Sequence, residues 1–169
     1  MKKLVHYFMK RLLYIYQTYE YELLKKKYSI HPSFRFNGNN IQFYGDGAIE
    51  IGEDSYIGEH STLQAAGGCT IKIGKGCAIS HNVRVYTSTA IAHQDFSKEV
   101  RSKTGNVTIG NFVWIGVNVY INPGVEIGDN AIVGANSVLV KNVPANAIVS
   151  GIPATLVSYK NYDAASRQQ

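Results

Sequence analysis

The chain has 169 residues, 45% hydrophobic and 17% charged, with a net charge of +5. That length suits a single domain with an ordinary apolar core. Cys69 and Cys77 make neither a disulfide framework nor a metal-type CxxC pair, and no stretch approaches the roughly 18 uninterrupted apolar residues of a membrane-spanning helix.

Residues 1–28 carry Lys2, Lys3, Lys10, Arg11, Lys25, Lys26 and Lys27 against Glu20 and Glu22, so the whole excess of +5 resides there and the remainder is neutral. A neutral body without a basic stripe or a recognised binding motif argues against a nucleic-acid partner. Residues 1–30 form the first predicted element, an amphipathic helix. Between positions 3 and 27 there is no Gly or Pro, and Leu4, Phe8, Leu12, Ile15, Tyr19 and Leu23 step by three or four. Lys10 and Arg11 interrupt the apolar run too early for a secretory signal, and no small-residue cleavage site follows. The expectation is a cytoplasmic protein in a reducing compartment. Peripheral contact with the inner face of a membrane, through residues 1–28, is an open alternative.

Residues 31–47 read as a transition with turn chemistry at Pro32, Asn37–Gly38 and Gly45–Asp46–Gly47, ahead of a new periodicity. Aliphatic side chains recur every six positions at Ile51, Ile57 and Leu63. A short insertion near Ala66–Thr70 shifts the phase, which resumes at Ile73, Ile79 and Val85. The clearest run is VTIGNF, VWIGVN, VYINPG, VEIGDN, AIVGAN, SVLVKN, with Ile109, Ile115, Ile121, Ile127, Val133 and Leu139 in phase. A period of six fits neither an amphipathic helix nor a two-faced strand. It fits a β-solenoid in which six residues make one side and one turn, aliphatic inward. Three such units close a triangular coil, giving four coils and a partial one before Ile51. Asn82, Asn118, Asp129, Asn130 and Asn136 suit corners of left-handed backbone. The helix's apolar face then has two uses: covering an open end or side of the solenoid, or docking on an anionic membrane.

Residues 86–106 break the pattern with the polar excursion TSTAIAHQDFSKEVRSKTGN. A solenoid loses register without unfolding only by looping out, and such loops build binding faces. The predicted β-helix domain spans 31–157, and 158–169 is a tail.

Residues 41–157, about two-thirds of the chain, resemble the hexapeptide-repeat acyltransferases. The pieces VWIG, INPGVEIG, GANSV and SGIPA carry the likeness, which points to the maltose/galactoside acetyltransferase-like branch and its polysaccharide O-acetyltransferases. The resemblance implies a left-handed parallel β-helix, against the usual right-handed crossover. It also implies a homotrimer with acetyl-CoA bound between neighbouring β-helices, and transfer of acetyl to a sugar hydroxyl. Gly116 and Val117 after WIG, and Ala135 in GANS, match the family's groove positions. Val140 and Lys141 match its Thr-Lys pair, though Val140 lacks the hydroxyl. Thr155 and Ser158 stand where the family often has basic residues, and Lys160 follows a little later. Trp114 reads first as an interface residue and second as a ligand contact.

Acyl transfer needs a base for the attacking hydroxyl and donors for the tetrahedral oxyanion. Histidine suits the first task and backbone N–H groups at solenoid turns the second. His6 lies in the helix and His31 in the transition. His60 and His81 fall near corners. His93 lies in the excursion, where the resemblance places a catalytic loop histidine, although this chain reads IAHQDFS rather than Gly-His. Asp95 is a candidate orienting or acceptor-binding group, and Asn82 and Tyr86 flank the loop as acceptor-facing candidates. A γ-carbonic-anhydrase-like zinc site needs two of three histidines close in sequence. His60, His81 and His93 are 21 and 12 residues apart, a poor match, and no metal is predicted. A silent scaffold would lack the loop histidine. Nothing separates a hydroxyl from an amine acceptor, so N-acetylation stays open.

Overall fold

In the computed structural model, which describes residues 2–161, a single helix precedes a parallel β-solenoid. Helix α1 spans Lys2–Lys27. The first coil comprises β1 (Ser29–Ile30), β2 (Arg35–Asn37) and β3 (Gln42–Tyr44). The second comprises β4 (Ala48–Ile51), β5 (Tyr56–Gly58) and β6 (Thr62–Gln64). The third comprises β7 (Thr70–Ile73), β8 (Ala78–Ile79) and β9 (Arg84–Tyr86). A hairpin of β10 (Ser88–Ala90) and β11 (Ser102–Thr104) then leaves the solenoid. The fourth coil holds β12 (Val107–Ile109), β13 (Trp114–Ile115) and β14 (Tyr120–Ile121). The fifth holds β15 (Glu126–Ile127), β16 (Ile132–Val133) and β17 (Val138–Leu139). An antiparallel hairpin of β18 (Ala147–Gly151) and β19 (Ala154–Tyr159) closes the far end.

The strands stack into three faces. The first runs β1-β4-β7-β12-β15, the second β2-β5-β8-β13-β16-β18-β19, and the third β3-β6-β9-β14-β17. This is the left-handed hexapeptide β-helix that the spacing and the resemblance led us to expect. The aliphatic phase becomes three inner columns: Ile51, Ile73, Ile109 and Ile127; Ile57, Ile79, Ile115 and Val133; Leu63, Val85, Ile121 and Leu139. All are buried, and each sits in register on the next. A second inward position two residues earlier takes small side chains, among them Ser55, Cys77, Val113, Val119 and Ser137. The hydroxyls buried there are satisfied: Ser55 Oγ donates to the Gly74 carbonyl at 2.8 Å and Ser137 Oγ to that of Gly134 at 2.6 Å. Cys77 fills the same column as a buried free thiol, and Cys69 is likewise free and buried.

Two segments differ from the sequence reading. Residues 29–44 form a complete coil, not a partial one. Its inward residues are Phe34, Phe36 and Phe43, packed with Tyr28 into an aromatic plug at the solenoid's first end. The helix's broad apolar face does not cover that end. α1 touches the solenoid through Tyr21, stacked on Phe36 at 4.3 Å, and through Leu24, while Leu4, Phe8, Leu12, Ile15 and Tyr19 are all exposed. The physical reason is that Tyr28 and the phenylalanines already seal the end. The predicted tail lies mostly outside the described residues.

Candidate active site

Each coil turns from the second face to the third at a corner held by left-handed backbone. Asn40, His60, Asn82, Asn118 and Asn136 occupy it with φ between 56° and 60°. Asparagine tolerates this conformation because its short polar side chain hydrogen-bonds locally. Here the bonds run from coil to coil. Asn82 Nδ2 donates to Asn118 Oδ1 at 2.7 Å, and Asn118 Nδ2 donates to Asn136 Oδ1 at 3.0 Å. Asn82 is therefore a rung of a structural ladder, and His60 replaces asparagine in the same column.

One residue before each rung lies a parallel column of Asn39, Glu59, His81 and Val117, each carbonyl accepting the N–H of the next coil's rung. Ala135 extends it. Gly116 is pressed against Ala135: a Cβ at Gly116 would stand 2.6 Å from the Ala135 nitrogen. Trp114 is 53% exposed on the outer side of β13, in the same stretch. The structure thus brings Trp114, Gly116, Val117 and Ala135 together along one corner. Val140 and Lys141 follow β17 at the next corner. There they line a groove of about 290 Å³ with Pro153, Ala154, Thr155 and Leu156 from the closing hairpin. The resemblance assigned both segments to acetyl-CoA, but the six-residue phase did not join them, because the antiparallel return of β19 lies outside it. Lys160 is drawn elsewhere, its ammonium donating to Asn130 Oδ1.

The β10–β11 hairpin leaves the corner between third and first faces. Thr87 anchors its root, accepting the Ala66 N–H at Oγ1 (2.7 Å) and donating from that hydroxyl to the Gln64 carbonyl. The insertion near Ala66–Thr70 thus seats the loop. Beyond the root, the hydrogen bonds recorded for residues 91–101 are made within the hairpin: Ile91 N–H to the Arg101 carbonyl, and Gln94 to both backbone groups of Arg101. Asp95 is engaged locally. Its Oδ1 accepts from Ser97 Oγ at 2.7 Å and from Ser97 N–H at 3.0 Å, and Lys98 Nζ stands 3.7 Å from Oδ2. Those bonds, Ser97's first, hold its carboxyl below the usual range.

His93 sits in this hairpin, exposed, with no hydrogen bond among the described residues. The other solenoid histidines differ. His81 Nδ1 accepts the Glu59 N–H at 3.2 Å, and His31 Nδ1 accepts the Ser33 N–H at 3.2 Å. A neutral imidazole accepting at Nδ1 carries its proton on Nε2, so neither keeps a free lone pair. His60 Nδ1 faces the Asn40 amide at 3.4 Å. Tyr86 stacks on Tyr120 at 5.6 Å between centroids, forming an aromatic patch on the third face beside the hairpin root. Burial, then the Tyr86 hydroxyl, pushes the Tyr44 phenol up, and burial does the same to Tyr120. Both stay neutral. Sequence reasoning found Tyr86 alone; Tyr120 becomes its neighbour only once the hairpin is looped out of the phase. Among the described residues no group of three or more His, Cys, Asp or Glu stands together to hold a metal ion.

Residues 106–141 match the family described as bacterial transferase hexapeptide (six repeats). The galactoside O-acetyltransferase of Escherichia coli (strain K12) is 32% identical over 155 residues, covering 88% of this chain and 75% of that one. A protein provisionally named as the lipopolysaccharide biosynthesis O-acetyl transferase WbbJ, from the same organism, is 27% identical, covering 75% and 68%. A hexapeptide-repeat acetyltransferase of Vibrio cholerae O1 biovar eltor, solved with acetyl coenzyme A, is 27% identical. It superposes with a TM-score of 0.68 over 85% of this chain and 78% of that one.

Proposed function

Because the chain belongs to the hexapeptide-repeat acetyltransferases, we propose that it carries an acetyl group from acetyl-CoA to a sugar hydroxyl, with His93 as general base. The observation that carries the assignment of the base is the free imidazole of His93 on a hairpin bonded to itself, while His81 and His31 have lost theirs to backbone N–H groups. The His93 imidazole takes the hydroxyl proton as the sugar oxygen attacks the thioester carbonyl. Backbone N–H groups at the corner stabilise the tetrahedral oxyanion. Collapse breaks the C–S bond, and the imidazolium returns its proton to the departing sulfur, releasing CoA.

The pantetheine arm, a flexible chain with two amides, suits the strip of Trp114, Gly116, Val117 and Ala135. Val140 and Lys141 extend the contact, Lys141 toward the CoA phosphates. The Tyr86–Tyr120 patch offers a stacking surface for the acceptor ring, with Asp95 at the hairpin end. The strip of Trp114, Gly116, Val117 and Ala135 and the hairpin root lie on opposite edges of the third face, up to about 20 Å apart for six extended residues, whereas Val140 and Lys141 follow β17 on the hairpin's own edge, two coils along. This supports a site assembled between copies in a homotrimer, one copy supplying the hairpin and the next the groove. The likeness to the protein provisionally named as a lipopolysaccharide biosynthesis O-acetyl transferase supports a surface-polysaccharide precursor as acceptor. The test is CoA release from acetyl-CoA against a panel of sugars, sugar nucleotides and amines. Release with a sugar hydroxyl is expected; release with amines alone would overturn the O-acetyl assignment.

A further inference from the structure

Helix α1 meets the solenoid with the side opposite its apolar stripe. Its half-buried residues, Gln17, Glu20, Tyr21, Leu24 and Lys25, step by three and four along one side. Tyr21 fixes that side by stacking on Phe36 and donating its hydroxyl to the Gly38 carbonyl at 2.8 Å. At 3.6 residues per turn, Phe8, Leu12, Ile15, Tyr16, Tyr19 and Leu23 fall on the far side. They are between 39% and 62% exposed. A contiguous apolar stripe of this size, held rigidly outward, marks a docking surface.

The charges around the stripe select its occupant. All of the chain's excess of +5 lies in residues 1–28, with Lys2, Lys3, Lys10 and Arg11 at one end of the helix and Lys25, Lys26 and Lys27 at the other. Packing against copies of itself would set these like charges together with only Glu20 and Glu22 to offset them, the reverse of the paired acids and bases of helix–helix seams. The breadth of the stripe and its tyrosines suit the boundary between headgroups and acyl chains. No described helix is long and apolar enough to cross a membrane.

We propose that α1 docks this stripe on an anionic lipid surface, lying in its plane and holding the first end of the solenoid toward the bilayer. The full-length protein mixed with phosphatidylcholine vesicles, with or without about 30% phosphatidylglycerol, tests this by co-sedimentation. Binding to the anionic vesicles, weakened by salt, is expected. Leu12→Glu/Ile15→Glu should lower partition about a hundredfold, while particle mass and thermal stability stay unchanged. Lys2→Glu/Lys3→Glu/Lys10→Glu/Arg11→Glu should abolish the preference for anionic lipid. Failure of the wild type to bind anionic vesicles, or binding undiminished in the Leu12→Glu/Ile15→Glu variant, would overturn the proposal. So would a fall in particle mass in that variant, which would assign the stripe to a second copy. None of these outcomes depends on the transfer chemistry.

Discussion

Asn118 has a φ of 60° and joins two neighbouring coils through its side chain. Alanine there would keep the left-handed backbone at about 1–2 kcal/mol and lose both bonds. Thermal unfolding of Asn118→Ala should fall by about 4–8 °C, and Asn118→Gly by clearly less, since glycine removes the strain alone. Asp129 gives a pH-dependent case. It accepts the Asn111 N–H at 2.8 Å and the Asn111 amide at 3.2 Å, and these bonds hold its carboxyl below the ordinary value of 3.8. A depressed carboxylate stabilises the fold fully above its unfolded value, and loses that contribution as pH falls through the folded one. The difference in unfolding temperature between wild type and Asp129→Asn should therefore be largest at neutral pH and narrow in acid. A difference that widens below pH 3.8 would contradict this. The ladder was half legible in the sequence. Asparagines at six-residue spacing announce corners, but nothing in the string shows that Asn82 bonds Asn118, 36 positions further on.

The solenoid strands were the most legible element, because inward packing demands an aliphatic every sixth residue and Ile57, Ile79, Ile115 and Val133 meet that demand in register. Ile115→Ala empties a fully buried site between two coils and should cost about 2–5 kcal/mol, read by chemical denaturation. The first coil was hidden because Phe36 and Phe43 replace aliphatics at its inward positions, and the step from Ile30 to Phe36, Phe43 and Ile51 drifts from six residues to seven and then eight. In the helix the amphipathic stripe was legible, but not which side meets the solenoid. Tyr21 decides that, and its partner Phe36 belongs to the coil the period does not reveal. The excursion at 86–106 announced a loop by losing phase. Its internal pairing, Ser88 with Thr104 and Ala90 with Ser102, left no periodic trace in so short a hairpin.

At the scale of the whole molecule, the hairpin and the strip of Trp114, Gly116, Val117 and Ala135 occupy different corners of one solenoid, so activity is proposed to depend on how copies meet. Mixing His93→Ala with a strip-blocked Ala135→Trp, substituted at an exposed position, each variant inactive alone, should restore a fraction of wild-type turnover in mixed oligomers; no recovery would place both parts within one copy. The solenoid was readable from the repeats and the donor from the resemblance, whereas the proposed acceptor surface was not, since Tyr44, Tyr86 and Tyr120 stand on three different coils. The central claim concerns His93. Steady-state acetyl transfer to a sugar acceptor at saturating acetyl-CoA, comparing wild type with His93→Ala, tests it most directly. The account predicts a kcat lower by about 10²–10⁴-fold with CoA affinity unchanged. Full turnover in His93→Ala would contradict it.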